Sequence, residues 1–234
     1  MTRTTNARLA GLMFLFYIVV GIADMVLFGQ ASRGPDTAAQ LASIGQHEMT
    51  VRLTVLLTLL TFVIAVTLAA ALYALTRDED RDLAVMALCF RVTEGVLAAA
   101  AAVRTLGLLS IATASTPANP ADEAAANALA GMLLTEGGWT GTIGAICFAV
   151  GSTLYCYLFL RSRSVPVLLA WLGVVASVLL VIALPLQLIH LIPATWYVWM
   201  PMLLFEVVFA LWLLIKGVAN PGSRVTPGAP GFLK

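Results

Sequence analysis

Apolar residues along this chain gather into six long runs that are separated by shorter polar stretches. The runs cover residues 9–29, 49–76, 83–112, 138–160, 166–191 and 196–216. Each run reaches the length of about 20 apolar residues that a helix needs to cross a bilayer. The pattern predicts an all-α integral membrane bundle of six transmembrane helices, formed by one domain over residues 1–218. Residues 219–234, rich in Gly and Pro, are predicted to be a disordered cytoplasmic tail.

The first run is also compatible with a secretory signal peptide, because Gly29-Gln30-Ala31 loosely resembles a cleavage site. The apolar part of a signal peptide is usually about 7–15 residues long. This run is longer, and Asp24 interrupts it. We therefore favour a retained transmembrane helix.

Composition places the chain among membrane proteins. Of its 234 residues, 61% are hydrophobic and 11% are charged, whereas about 25% are charged in ordinary soluble domains. A formal net charge of +1 without a basic face argues against a nucleic-acid partner and leaves the lipid bilayer as the main surrounding. The three cysteines form no CxxC pair, so the sequence indicates no metal site.

Two of the predicted outer loops contain short helical patterns at residues 36–44 and 122–134. A proline and an acidic residue stand at each start, which is a helix-start signal. We predict short interfacial helices that either cover a cavity or only pack against the bundle.

The positive charges predict the orientation, because cytoplasmic loops are enriched in Lys and Arg. With the N-terminus inside, Arg33 and Arg52 belong to the outer side. The basic residues on the inner side are then Arg3, Arg8, Arg77, Arg81, Arg161, Arg163, Lys216, Arg224 and Lys234. Both termini are therefore predicted to be cytoplasmic, in the inner membrane of a bacterial cell.

The third run carries ionisable residues at membrane depth, namely Arg91, Glu94 and Arg104. A charge at the centre of a membrane helix costs roughly 3 kcal/mol on insertion scales, so such residues face the bundle interior. Glu206 of the sixth run lies at a depth similar to that of Arg91, and we predict direct contact between these two. One arginine neutralises one carboxylate, so the other carboxylate could take up a proton.

A second polar layer is predicted nearer the outside, where Asp24 and Arg104 are each other's most obvious partners. Glu136 and His190 lie at the same end of their segments. We expect Asp24, Arg104 and His190 to line one cavity that opens outward. The predicted ligand- or ion-binding residues are Asp24, Arg91, Glu94, Arg104, Glu136, His190 and Glu206; the alternative is that these charges only fix the packing of the helices.

Catalytic motifs such as HExxH, GxSxG, SxxK and the Walker loop are missing from the sequence. We therefore lean against an enzyme and expect binding or translocation of a small molecule, lipid or ion. An intramembrane enzyme acting on a lipid-like substrate and a non-catalytic accessory protein are the alternatives. The cofactor is unknown, and an oligomer is compatible with the sequence.

Several fragments resemble a family of bacterial multi-pass membrane proteins, domain-of-unknown-function family 4386. They are residues 7–12, 21–24, 90–94, 157–162 with Pro166, and Glu206 followed by 210–218. The resemblance implies six membrane helices without an established activity. It also implies that Arg91, Glu94 and Glu206 match the recurring RxxE and Glu of the family. The family often carries a histidine in the fourth helix, where this chain has Glu136, Trp139 and Thr140.

Overall fold

The six predicted spans are present as helices. The computed structural model describes residues 2–114 and 120–218, so the predicted tail lies outside the described residues. The helices are α1 (Arg3–Ala31), α2 (Thr37–Gln46), α3 (Glu48–Thr76), α4 (Arg81–Thr113), α5 (Pro120–Ser162), α6 (Val167–Leu188), a 3₁₀ helix (Trp196–Trp199) and α7 (Met200–Ile215). In this part of the chain six segments are long and apolar enough to cross a membrane: α1, α3, α4, α5, α6 and the 3₁₀ helix together with α7. The predicted all-α membrane bundle is confirmed.

The two predicted loop helices differ in outcome. The first is α2, and the Oδ1 atom of Asp36 accepts the backbone N–H of Ala39 at 2.8 Å to cap it. The second is helical but is not a separate element, because it continues without a break into α5. Alanine-rich residues 121–130 favour helix and contain no breaker. The 43 residues of α5 span about 64 Å at 1.5 Å per residue, roughly twice the hydrocarbon core.

The spanning helices form a closed ring. Each packs against its neighbour in the chain, in the order α1, α3, α4, α5, α6 and α7, and α7 packs back against α1. Large apolar side chains such as Val19, Leu56 and Leu168 point out of the ring and are exposed. An apolar exterior of this kind suits lipid and would be unfavourable in water.

Two hydrophobic clusters close the ring at different heights. The larger one contains Phe14 of α1, Ala87 of α4 and Phe148 of α5, together with five buried residues of α6 and five of α7. The smaller one lies at the end that carries α2 and consists of Ala31, Ile44, Val51, Leu108, Leu109 and Ala130. The polar site residues of α1, α4 and α5 lie between the parts of these helices that belong to the two clusters, so the polar layer lies between two apolar layers. They are Tyr17, Asp24, Arg91, Glu94, Arg104 and Glu136.

The ring closes through a close backbone approach between α1 and α7. A Cβ atom added at Gly11 would lie 2.7 Å from the carbonyl oxygen of Ala210 and 3.1 Å from the backbone nitrogen of Leu214. Small residues of this kind allow membrane helices to pack at short distance.

Gly11→Ala is expected to destabilise the bundle by about 1–3 kcal/mol, because the new methyl group must push α7 away from α1. Gly29→Ala is a matched control on the same helix, since a Cβ there meets nothing within 4 Å. Thermal unfolding of the purified protein measures both variants. Equal midpoints for the two variants would contradict the closed ring.

Candidate functional site

Arg91 is the centre of the polar layer. Its side chain is 1% exposed, and Nη1 lies 2.8 Å from Oε2 of Glu94, three residues further along the same helix. The guanidinium carbon lies 4.6 Å from the centroid of the Phe148 ring and 5.7 Å from that of Tyr17. Cation–π attraction of this kind is strongest where water is excluded, so the two rings help to hold a charge that lipid could not stabilise.

Arg91 and Arg104 of α4 both lie along glycines of α5. A Cβ at Gly151 would be 2.9 Å from Cγ of Arg91, and a Cβ at Gly137 would be 2.3 Å from Nη1 of Arg104. The missing side chains leave the space that these arginines occupy. Helix α5 therefore makes room for both of these arginines of α4.

Glu94 has partners at both carboxylate oxygens. The hydroxyl group of Tyr17 donates to Oε1 at 2.5 Å, and Oε2 faces Arg91. This carboxylate therefore joins α1 to α4, and its charge is balanced by the adjacent guanidinium group.

Glu206 differs from Glu94 because it is buried without an equivalent partner. Its side chain is 7% exposed, and its Oε1 atom accepts no hydrogen bond from the described residues. The predicted direct pairing with Arg91 is not formed: within the described ranges, Arg91 makes its ion pair with Glu94. Arg91 and Glu206 lie at a similar depth in the bundle, as predicted. Glu94 is nevertheless the carboxylate closer to Arg91, because it lies three residues away on the same helix.

The guanidinium group of Arg91 also keeps unused hydrogen-bonding capacity. Its Nε, Nη1 and Nη2 atoms are buried and have no partner of hydrogen-bond geometry in the described part of the chain. Ser152 and Tyr155 line a space of about 10 Å³ next to it, which is about the room of one water molecule. The network is therefore only partly satisfied by protein groups.

A cavity of about 350 Å³ lies on the inner side of the ring, above the Arg91–Glu94 pair. Glu94 and Glu206 lie at one end of it, and Arg104 with Thr140 lies at the other. Ten residues separate Glu94 from Arg104, so the cavity extends over about 15 Å along α4. Its apolar lining comes from Leu97, Ala98, Ala101, Ala145, Phe148 and Trp199. This volume and this mainly apolar lining are typical of small-molecule sites.

A second cavity, of about 220 Å³, lies next to the first, and the two share lining residues of α4. Asp24 and Arg104 both line it, as predicted, but they form no ion pair within 4 Å in the described structure. Instead, the hydroxyl group of Thr58 donates to Oδ2 of Asp24 at 3.0 Å. Ala98 and Ala101 line both cavities, so only a narrow alanine face of α4 separates them.

Arg104 lies where the two cavities meet. Glu136 and Asp24 are the carboxylates that interact with it electrostatically, and its guanidinium carbon is 5.9 Å from the centroid of the Phe28 ring. Glu136 accepts a hydrogen bond from the hydroxyl group of Thr140, one turn further along α5. The positive charge of Arg104 therefore lies between two negative ones.

The family model described as a domain of unknown function (DUF4386) matches residues 9–217. The chain belongs to this family. The match confirms the resemblance drawn from the sequence fragments, and it covers all the residues of the two cavities. No curated protein and no solved structure shows significant similarity to the chain.

His190 is the one predicted site residue that the structure separates from the others. It adopts a left-handed backbone with φ of 58° and ends α6, and the N–H of Leu191 bonds back to the carbonyl of Leu186 at 2.9 Å. This arrangement is a common way to terminate a helix. Its side chain faces a different groove, which is lined by Trp139 and Gln187. In the described ranges no three His, Cys, Asp or Glu side chains group as a metal site would require.

The sequence analysis missed three aromatic residues of the site, Tyr17, Phe148 and Trp199. Tyr17 lies seven residues before Asp24, on the same helix face, and a tyrosine this far from a membrane interface is a signal in itself. Trp199 follows Trp196 and Tyr197 in the sequence, a pattern typical of the aromatic residues at a membrane interface. Those two are exposed, whereas Trp199 turns inward and lines the cavity, with its ring centroid 6.0 Å from that of Phe148.

Arg91→Met is expected to destabilise the protein by about 3–5 kcal/mol, because Glu94 would remain buried beside a partner without charge. Adding Glu94→Gln should restore part of the loss, since the two positions are coupled. Arg52→Met is the control: Arg52 forms the same kind of pair with Glu48, but on the exposed end of α3, where such pairs contribute little. Chemical denaturation measures all four proteins. Equal losses for Arg91→Met and Arg52→Met would contradict the assignment.

Proposed function

We propose that this protein is a multi-pass membrane protein that binds a small ligand in the 350 Å³ cavity between its helices. The observation that carries the proposal is Glu206, which lines this cavity and whose buried Oε1 atom has no hydrogen-bond partner among the described residues. A buried polar group without a partner costs stability, and it persists where a function uses it.

A purely structural role for the charges is less well supported. Internal struts should be fully paired, because a half-satisfied buried network is less stable than an apolar core. Here Oε1 of Glu94 accepts a hydrogen bond and Oε2 faces Arg91, whereas Oε1 of Glu206 and Nε and Nη2 of Arg91 have no hydrogen-bond partner among the described residues. Glu206 lines the cavity, which is the arrangement expected of a site for a polar ligand.

Binding is better supported than passage through an open pore. Below the cavity the ring is filled by Phe14, Phe159, Phe205 and Phe209, whose ring centroids lie 5.1–5.7 Å apart in contacting pairs. Translocation would require this aromatic layer to move. We therefore propose that this conformation of the protein binds its ligand and does not form an open pore.

Gly141→Phe tests the cavity directly. A Cβ at Gly141 meets nothing within 4 Å, and this residue lines the cavity, so the ring should fill the site without displacing the helices. Native mass spectrometry of the protein purified from membranes should show a bound small molecule on the wild type and none on the variant. Gly138→Phe, on the same helix and outside this cavity, should retain it. A bound molecule that survives Gly141→Phe, or a wild type without one, would refute the proposal.

We also propose that the protein lies in the inner membrane of a bacterial cell with both termini in the cytoplasm, because the basic residues favour that orientation. In a cysteine-free background, Arg33→Cys marks the end of the bundle that carries α2. Asp78→Cys marks the opposite end, where the described part of the chain begins and ends. Both positions are exposed. A membrane-impermeant maleimide should label Arg33→Cys in intact cells and Asp78→Cys only after permeabilisation. The reverse pattern would invert the orientation.

A further inference from the structure

We infer that the ligand of this cavity is an organic cation, with an ammonium group bound at Glu206 and a compact apolar body along the alanine face of α4. This inference rests on the proposed binding function and adds the chemical class of the ligand. Four independent features of the described residues support it: the balance of charges, the free carboxylate, the aromatic lining and the shape of the cavity.

Around the two cavities, carboxyl groups outnumber guanidinium groups. Two guanidinium groups, Arg91 and Arg104, face four carboxyl groups, which leaves a formal excess of two negative charges. The carboxyl groups belong to Asp24, Glu94, Glu136 and Glu206. A low-dielectric site with an unbalanced charge attracts a counter-ion of the opposite sign.

The free carboxylate fixes where the positive group binds. Glu94 is occupied by Tyr17 and Arg91, and Asp24 accepts a hydrogen bond from Thr58. Glu206 lies on the cavity with an unpartnered oxygen. An ammonium group, including a fully alkylated one, supplies the positive charge that would balance this carboxylate in a low-dielectric site. The opposite end of the cavity contains Arg104, whose charge is already countered by Glu136 and Asp24.

Aromatic rings line the same end of the cavity. Tyr17, Phe148 and Trp199 stand next to the two glutamates. The faces of aromatic rings attract cations, and rings combined with carboxylates are a recurring means of binding alkylated ammonium groups. One face of Phe148 already covers Arg91, at 4.6 Å. The protein therefore already places one organic cation, the guanidinium group of Arg91, against an aromatic ring. The cavity has room for a second cation, the ammonium group of the ligand.

The shape of the cavity favours an organic cation over a metal ion. Metal ions of the alkaline-earth type need six or more oxygen ligands at about 2.0–2.6 Å. Around Glu206 the cavity offers mostly apolar surface and a volume of about 350 Å³, far larger than a coordination sphere. The alanines of α4 instead provide a smooth wall against which a hydrocarbon body can be desolvated.

The test uses three probes of similar shape and different charge. They are benzyltrimethylammonium, its uncharged isostere neopentylbenzene and the anion phenylmethanesulfonate. Isothermal titration into the protein in lipid nanodiscs, with empty nanodiscs as the blank, gives each dissociation constant. We expect saturable binding of the cation at one site and weaker binding of the other two. Equal or tighter binding of the uncharged or the anionic probe, or no binding of the cation, overturns the cation assignment.

Two glutamine variants locate the charge that is recognised. Glu206→Gln should weaken binding of benzyltrimethylammonium by roughly 30-fold or more, because the buried charge partner is lost. This variant removes an unpartnered buried charge and so should remain folded. Glu48→Gln, in an exposed ion pair at the start of α3, should bind as the wild type does. Unchanged binding by Glu206→Gln refutes the inference.

Gly141→Phe separates failure of the inference from failure of the proposed function. If the uncharged or anionic probe binds and Gly141→Phe abolishes that binding, the cavity is a ligand site and only the cation class is wrong. If benzyltrimethylammonium binds equally well to Gly141→Phe and to the wild type, the cation binds elsewhere. In that case both the inference and the assignment of this cavity fail.

Discussion

Ionised side chains on a membrane helix cannot face lipid, and the arrangement of this bundle follows from that constraint. Helix α4 carries three of them, so its charged face must turn inward and be covered. The other helices cover it as a closed ring, with Tyr17 and Phe148 around Arg91 and Phe28 over Arg104. Glycines of α5 then let α4 approach closely at both arginines. The positions of both cavities are consequences of how these charges are enclosed.

The hydropathy of the chain was sufficient to predict the spans, because lipid imposes a simple requirement on every helix that crosses it. Residue spacing likewise placed Arg91, Glu94 and Glu206 at one level. Partner choice could not be predicted in the same way. Arg91 had a carboxylate three residues away on its own helix and another across the ring, and only side-chain geometry distinguishes them.

The other differences have equally local causes. The start of α5 was predicted as a separate helix because a loop was assumed there, but alanine-rich residues carry the helix on without a break. His190 was a candidate ligand because it was predicted at the same outer level as Asp24 and Arg104, and it instead helps to end α6 through its backbone. Trp199 looked like its two neighbours in sequence, although the 3₁₀ helix turns its side chain inward.

The small hydrophobic cluster at the α2 end gives that end of the bundle a local stability different from that of the rest of the ring. Six buried residues of the described ranges form that cluster, whereas the aromatic layer belongs to a much larger one. Local opening free energies follow the amount of apolar packing in each region. We therefore expect the α2 end to open locally at a lower free energy than the remainder of the ring. Amide hydrogen exchange in α2 should report this smaller free energy, and substitutions at Ile44 or Leu108 should change how often that end opens.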